Sequence, residues 1–170
     1  MESLLLLDAD IIIHLFEQGY WNAVISRYKV YVASIVLREV KYYCDAQGKK
    51  ITIDLFDYVN RGQIKEVEAT PEEQAILLDR LREDNLDSLD AGELECIAIL
   101  FIDRIPDIQF CVKDTLAIRA LVALDLHEKA LSLEEILRNA GVLRRKDRIA
   151  REFSKKKLSD LTLAEKLNHL

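Results

Sequence analysis

Residues 4–13 constrain the fold more than any other part of the chain. They read Leu-Leu-Leu-Leu-Asp-Ala-Asp-Ile-Ile-Ile, so an apolar run leads directly into Asp8 and Asp10. Such a run is typical of a strand buried on both faces, as in the middle of a parallel sheet. Because an unpaired buried carboxylate is costly, Asp8 is expected where the strand emerges. That carboxyl edge is where open α/β folds bind ligands.

Four other short segments are predicted strands. Residues 30–33 and 109–112 are apolar, residues 64–67 are a possible short strand, and residues 129–131 are a possible edge strand. Helical segments separate them. This alternation predicts an α/β fold, a three-layer sandwich whose short central parallel sheet of four to five strands is flanked by helices.

The helices are predicted from apolar spacing and from start and stop signals. Capping boxes at Thr70/Glu73 and Ser132/Glu135 mark two helix starts. The predicted helical segments are residues 11–28, 35–46, 51–60, 71–83, 89–103, 115–124 and 133–140, then a basic helix at 144–153 and a short final helix that begins at Thr162.

Charge divides the chain into an acidic body and a basic tail. We expect one domain-sized unit over residues 1–140 and a basic helical appendage over residues 141–170. The appendage has nine Lys or Arg and four acids, whereas residues 1–140 have fifteen Lys or Arg and 26 acids. This pattern fits a carboxylate-lined site beside a polyanion-binding arm, and it also fits a plain solvated helix.

Several classes of protein are not expected. No apolar run approaches the roughly 18 residues of a membrane span. The start of the chain carries Glu2 and no basic flank, unlike a secretory leader. Cys44, Cys96 and Cys111 show no Cys-x-x-Cys spacing and lie among apolar neighbours. We therefore expect buried free thiols and a cytoplasmic protein.

Further carboxylates are predicted to join Asp8. Asp114 follows another strand, Glu39 lies about one and a half turns into a helix, and Asp90 and Glu93 share one helix face. Two carboxylates about 4 Å apart repel by roughly 4 kcal/mol at an effective dielectric of about 20. Protonation, basic partners or cations must compensate. Oxygen ligands without His or Cys favour Mg²⁺ or Mn²⁺, whose usual chemistry is water activation for attack at phosphorus.

Four blocks of the sequence resemble the PIN-domain family, especially the VapC-type toxin ribonucleases and related prokaryotic proteins. The blocks are residues 5–12, 33–39, 89–98 and 111–119, and residues 132–137 resemble the closing helix of the family. The resemblance covers about residues 3–140. Two positions depart from the family pattern: Asp10 stands where Asn or Ser is common, and Thr115 stands where one subgroup often has a second Asp.

The resemblance implies an acidic tetrad of Asp8, Glu39, Glu93 and Asp114 that holds Mg²⁺ or Mn²⁺, with Asp90 competing with Glu93 for the third place. It assigns Ser34 and Thr115 to hydrogen-bonding support of the site. The implied activity is hydrolysis of RNA phosphodiester bonds, with a toxin–antitoxin pair as its context. An antitoxin partner and a homodimer are expected by analogy alone.

The sequence allows more than one role for each remaining candidate. Asp10 is either a metal ligand or a helix-start carboxylate favoured by the helix dipole. Arg119 either contacts phosphate or pairs with an acid, the pair being favoured, and Lys113 is either phosphate-binding or solvated. Arg144, Arg145 and Lys146 of the tail either grip an RNA backbone, bind an acidic partner or are solvated.

Two other functions compete with the ribonuclease. The first is a non-catalytic PIN-like module that binds nucleic acid or protein, against which the presence of all four acids argues. The second is a phosphatase, because Asp8-Ala9-Asp10 superficially matches the Asp-x-Asp nucleophile loop of haloacid-dehalogenase-like enzymes. Those enzymes have a small residue and then Thr where this chain has Ile11 and Ile12, so the phosphatase is disfavoured.

Overall fold

The computed structural model describes residues 3–144 and 146–168. The strands within these ranges are β1 (Leu4–Leu7), β2 (Lys29–Ala33), β3 (Tyr42–Cys44), β4 (Lys50–Thr52), β5 (Ile64–Val67), β6 (Gln109–Cys111) and β7 (Ala130–Leu131). A central parallel sheet has the order β5-β2-β1-β6-β7, and β3 and β4 pair separately as an antiparallel hairpin.

Helices flank the central sheet. They are α1 (Ala9–Glu17), α2 (Trp21–Arg27), α3 (Ser34–Glu39), α4 (Leu55–Asn60), α5 (Pro71–Arg82), α6 (Ala91–Phe101), α7 (Thr115–Ala123), α8 (Leu133–Asn139) and α9 (Lys155–Asn168). The prediction of an α/β sandwich around a short parallel sheet is confirmed. Within the described ranges, no helix has both the length and the apolar character that a membrane crossing requires.

The central position of β1 explains its unbroken apolar sequence. Leu5, Leu6 and Leu7 are fully buried, because β2 and β6 pair with the two edges of the strand and helices cover its faces. Leu7 lies in register with Val32 of β2 and Cys111 of β6. The residues that follow these three strands therefore emerge at the same edge of the sheet, which is the edge where Asp8 was predicted.

The helix predicted over residues 11–28 is two helices. It starts earlier, at Ala9, and is interrupted after Glu17. Gly19, with a φ of +72°, lies between α1 and α2. A left-handed backbone angle of this kind is accessible to glycine without a steric penalty, so the chain turns there although the apolar spacing continues.

The helices predicted over residues 35–46 and 51–60 are partly wrong. α3 ends at Glu39, and the following segment forms the β3–β4 hairpin before α4 begins at Leu55. The Asp45 carboxylate accepts hydrogen bonds from the backbone N–H groups of Gln47 and Lys49, which closes a turn that competes with a helix. Cys44 is exposed on this hairpin, so its predicted burial is wrong, whereas Cys96 and Cys111 are buried.

The predicted helices of the tail also differ. Residues 146–150 are non-helical, and a short 3-10 helix covers Arg151–Phe153. The Arg138 guanidinium donates to the carbonyls of Arg144 and Asp147, which are thereby held in a turn.

The final helix begins at Lys155 and not at Thr162. Glu134 accepts the Lys155 N–H and the Ser154 hydroxyl oxygen accepts the Lys157 N–H, so the first turn is capped. Phe153, Leu158 and Glu165 are buried, and α9 packs against α7.

Candidate functional site

A pocket of about 400 Å³ opens at the carboxyl edge of the central sheet. Six of its lining side chains are carboxylates, and Lys113 is the one cationic side chain among its described lining residues. The carboxylates are Asp8, Asp10, Glu39, Asp90, Glu93 and Asp114, and Ala9, Ser88 and Leu116 complete the lining. The four acids of the predicted tetrad thus line one pocket, together with Asp10 and Asp90.

Asp8 and Asp114 each precede a helix directly. Asp8 follows β1 and precedes α1 with an extended backbone. Asp114 precedes α7, and its Oδ1 accepts hydrogen bonds from the N–H groups of Leu116 (2.7 Å) and Ala117 (3.2 Å). Helix N-termini stabilise negative charge through their free N–H groups and the helix dipole. The strand–helix connections therefore supply part of the compensation that the carboxylates need.

Asp90 and Glu93 form a capping box at the start of α6. Asp90 Oδ1 accepts the Glu93 N–H at 2.8 Å, and Glu93 Oε2 accepts the Asp90 N–H at 3.4 Å. This reciprocal arrangement satisfies two N–H groups of the first turn. Both residues line the pocket, and the carboxylate of each accepts a hydrogen bond from the backbone N–H of the other. Either residue can therefore be the third acid of the tetrad.

Gly92 allows Glu39 to approach α6 closely. A Cβ atom at Gly92 would lie 3.2 Å from Glu39 Oε2, 3.2 Å from Val36 Cγ2 and 3.5 Å from Asp90 Oδ1. Because Gly92 has no side chain, the end of α3 can pack closely against the start of α6. Glu39 itself is exposed to solvent.

Burial and mutual repulsion raise the pKa values of three of these acids. Burial, with added repulsion from Asp90, Asp114 and Asp8, raises the pKa of Glu93 to about 7. The pKa of Asp8 rises to about 6, again chiefly through burial, although the Ala9 N–H and Lys113 act in the opposite direction. Burial and Asp90 also raise the pKa of Glu39. Near neutral pH, the positive charge around these carboxylates is too small to offset their burial and mutual repulsion.

The donor chemistry of the pocket is that of a site for a hard divalent cation. All of its acidic groups offer oxygen ligands, which Mg²⁺ and Mn²⁺ prefer. In the described part of the chain, however, no three His, Cys, Asp or Glu side chains lie close enough to form a ready-made metal-ligand group. A cation bound here would have to draw the carboxylates inward, and it would displace the protons that the raised pKa values retain.

Lys113 connects the pocket to the tail. Its ammonium lies 3.0 Å from Asp10 Oδ2 and 5.4 Å from the centroid of the Phe153 ring. Its carbonyl oxygen accepts a hydrogen bond from Lys157 Nζ. Asp10 therefore lies at the pocket in an ion pair, which is compatible with either role that the sequence left open.

Other predicted site residues lie outside this lining. The Ser34 hydroxyl donates to Glu66 Oε1 at 2.7 Å, on the side of β5, and Thr115 is exposed after Asp114. Arg119 pairs with Glu165, with 3.0 Å between Nε and Oε2, which is the acid pairing that the sequence favoured. Arg144 and Lys146 are exposed on the tail, and Arg145 lies outside the described residues.

Glu95 is an important acid to which sequence reasoning gave no role. It lies two residues after Glu93 and is almost fully buried. Its carboxylate accepts the N–H of Ile35 at 2.7 Å and that of Ala69 at 3.3 Å. Glu95 thereby joins α6 to the start of α3 and to the segment after β5. The sequence does contain a signal for this role, because Glu95 is an acid within an otherwise apolar stretch of helix.

Comparisons with known proteins provide no family assignment. No protein-family model matches the chain, and no curated protein matches it. Functional inference therefore depends on the geometry and electrostatics of the pocket.

Proposed function

We propose that the protein is a PIN-like, metal-dependent ribonuclease that hydrolyses RNA phosphodiester bonds. The observation that carries the proposal is the pocket in which six carboxylates and one lysine meet at the carboxyl edge of a parallel sheet. Structural carboxylates are ordinarily dispersed or paired with cations, because like charges repel. Acids with raised pKa values that converge in one cleft are typical of a functional site.

Asp8, Glu39, Glu93 and Asp114 would hold Mg²⁺ or Mn²⁺, with Asp90 as a further ligand or as the residue that orients Glu93 through the capping box. The bound cation would supply Lewis acidity and an activated water for attack at phosphorus. Lys113 would move from Asp10 to a phosphate oxygen of the substrate, which keeps the negative charge of the RNA paired inside an acidic pocket.

The biological context comes from the resemblance of four ordered sequence blocks. In this proposal the protein acts in the cytoplasm as the toxin of a toxin–antitoxin pair, forms a homodimer and is inhibited by an antitoxin protein. Residues 1–140 would form the PIN-like unit and residues 141–170 its basic appendage. Arg119, Arg144, Arg145 and Lys146 are candidate contacts to the RNA backbone.

A cleavage assay on labelled single-stranded RNA tests the activity. We expect cleavage with Mn²⁺ or Mg²⁺ and none after chelation. Asp8→Asn should lower the rate at least about 100-fold, because metal-assisted stabilisation is worth several kcal/mol. Asp79→Asn is the matched control, since Asp79 is an exposed residue of α5 that pairs with Arg82.

Each alternative function gives a different result. RNA binding without cleavage at any metal concentration would identify a non-catalytic module. A phosphoaspartate trapped at Asp8 with a phosphomonoester substrate would identify a phosphatase. Cleavage that survives both Asp8→Asn and Asp114→Asn would come from another site or from a contaminant, and it would refute the proposal.

A further inference from the structure

The β3–β4 hairpin, residues 41–52, begins next to the carboxylate pocket. Glu39, which lines the pocket, is the last residue of α3, and β3 starts three residues later at Tyr42. An extended chain spans at most about 3.6 Å per residue, so the Cα atoms of Glu39 and Tyr42 lie within about 11 Å of each other. A ligand that extends out of the pocket past Glu39 therefore has the start of the hairpin close to it.

The hairpin has an inner and an outer face. Tyr43 pairs in register with Ile51, both are half-buried, and Tyr43 packs against Phe16 of α1 with 6.1 Å between ring centroids. The alternate positions point outward, since successive side chains of a strand lie on opposite faces. Tyr42, Cys44, Lys50 and Thr52 are exposed on this outer face. The inner face anchors the hairpin, which leaves the outer face available.

The hairpin is basic in a protein that is acidic overall, and Lys50 is the lysine that shares the outer face with Tyr42. The hairpin contains Lys41, Lys49 and Lys50 but one acid, Asp45, while the whole chain has a net charge of -6. The Asp45 carboxylate is engaged by backbone N–H groups of the turn at 2.9 and 3.0 Å. The three lysines are exposed to solvent. Their positive charge attracts polyanions.

Tyr42 gives this basic surface an aromatic platform. The side chain is among the exposed large apolar groups of the protein, with 42% of the residue surface accessible. The Lys50 ammonium lies 4.2 Å from the centroid of the Tyr42 ring, across the hairpin. This cation–π contact restrains the ring and places the ammonium over one of its faces, so a base would stack on the opposite face. An exposed aromatic ring flanked by lysines is the combination that single-stranded nucleic-acid binders use.

We propose that the β3–β4 hairpin binds single-stranded nucleic acid next to the carboxylate pocket. Tyr42 stacks on an unpaired base, and Lys41, Lys49 and Lys50 contact the flanking phosphates. This inference rests on the proposed ribonuclease function, because it gives the pocket its substrate class. A paired duplex hides its base faces and offers Tyr42 no stacking partner.

Binding is measured separately from cleavage. Fluorescence anisotropy of a labelled 12-nucleotide oligouridine, with the full chain in chelator, reports affinity while the chemistry is off. We expect Tyr42→Ala to weaken binding about five- to 150-fold, the range expected from loss of one stacked base. Tyr42→Trp should bind at least as well as wild type. Phe101→Ala, at the far end of α6, is the control, since Phe101 is also an exposed aromatic residue.

The salt dependence tests the lysines. Single-stranded binding loses about 0.7 in the slope of log K against log salt for each phosphate contact removed. Lys49→Gln with Lys50→Gln should therefore reduce the slope by about 1.4, whereas Lys65→Gln, an exposed position on β5, should leave it unchanged.

Three outcomes overturn the inference. They are Tyr42→Ala binding as tightly as wild type, a duplex of the same length binding as tightly as the single strand, or hairpin variants changing only the oligomeric state in gel filtration. The last would make the hairpin a protein interface. Loss of cleavage in Asp8→Asn with unchanged anisotropy separates the pocket from the hairpin. A protein that binds RNA through Tyr42 and never cleaves it would refute the ribonuclease and not the hairpin.

Discussion

Two buried glutamates on α6, Glu93 and Glu95, have opposite environments although one residue separates them. The Glu95 carboxylate is satisfied by the N–H groups of Ile35 and Ala69, so it connects three segments of the fold. Burial raises the pKa of both acids, but Glu93 has a single long backbone donor, the Asp90 N–H at 3.4 Å, and the repulsion of Asp90, Asp114 and Asp8 helps to raise its pKa to about 7. The comparison shows that burial alone does not mark a functional acid. A carboxylate with two backbone donors stabilises the structure, whereas one among like charges needs a proton, a basic partner or a cation to compensate.

The largest expected effect on stability comes from removing the Glu95 carboxylate. Glu95→Ala leaves two N–H donors without their acceptor, at about 1–3 kcal/mol each. Relief from burying a carboxylate offsets part of this loss. We expect the free energy of unfolding to fall by roughly 2–4 kcal/mol in urea titrations, while Glu72→Ala on the exposed surface of α5 changes it by less than about 0.5 kcal/mol. An unchanged urea midpoint for Glu95→Ala would show that the two hydrogen bonds make no net contribution to stability.

Glu93, the residue of the pair that lines the pocket, should respond to a cation. At a Mn²⁺ concentration of 100 times Kd, a ligand that binds the folded chain alone stabilises it by about 2.7 kcal/mol. Thermal unfolding should show this gain in wild type and in Asp79→Asn, and a much smaller gain in Glu93→Gln. The gain should grow from pH 6 to pH 8, because Asp8 and Glu93 must lose protons to bind the ion. Equal gains in all three proteins would place the ion elsewhere.

Without metal, Glu93 should destabilise the fold as pH rises. Its folded pKa of about 7 lies above the ordinary value of 4.5, so the folded state binds the proton more tightly. The penalty is absent below pH 4.5, grows between pH 4.5 and 7, and is complete above pH 7, at up to roughly 3 kcal/mol. Glu93→Gln keeps a side chain suited to the capping box. It should therefore be more stable than wild type at pH 8 and equal at pH 4.

Glu95→Gln provides the contrast to this pH series. Its amide can accept one N–H through its oxygen but presents its NH₂ group to the other donor. We expect lower stability than wild type at pH 8, in unfolding titrations run alongside those of Glu93→Gln. If the two glutamine variants shift stability in the same direction at pH 8, the distinction between the two environments is wrong.

The elements that the sequence predicted well are those with local, self-contained signals. The apolar run of β1 and the capping boxes at Thr70 and Ser132 depend on neighbours within a few residues, and all are present in the structure. The hairpin was missed because its alternation of exposed and half-buried residues lasts three residues in each strand. The predicted helix at 144–153 failed because Arg138, a residue of α8, holds the carbonyls of Arg144 and Asp147.

The site was predictable to the extent that topology determines it. Asp8 and Asp114 follow parallel strands, so their meeting at one edge needed no knowledge of side-chain packing. The contact of Lys113 with Phe153 and the orientation of Ser34 toward Glu66 depend on how distant segments dock. Those relations have no local sequence signal. Gly92 was predictable in part. It belongs to a sequence block that resembles the family, but the need for glycine there comes from the close approach of Glu39, which the sequence does not show.

Gly92→Ala tests the contact between α3 and α6, with the smallest expected effect on stability. Alanine improves helix stability by roughly 0.5–1 kcal/mol over glycine, and a Cβ only 3.2 Å from Val36 Cγ2 and Glu39 Oε2 offsets this gain. We expect stability within about 1 kcal/mol of wild type but about tenfold weaker Mn²⁺ binding, as for other displaced supports of metal ligands. In a Glu39→Ala background the same substitution should leave Mn²⁺ affinity unchanged, because the carboxylate that it displaces is gone. If it weakens binding equally in both backgrounds, Gly92 acts through the backbone of α6, and Glu39 is not the ligand that its close approach serves.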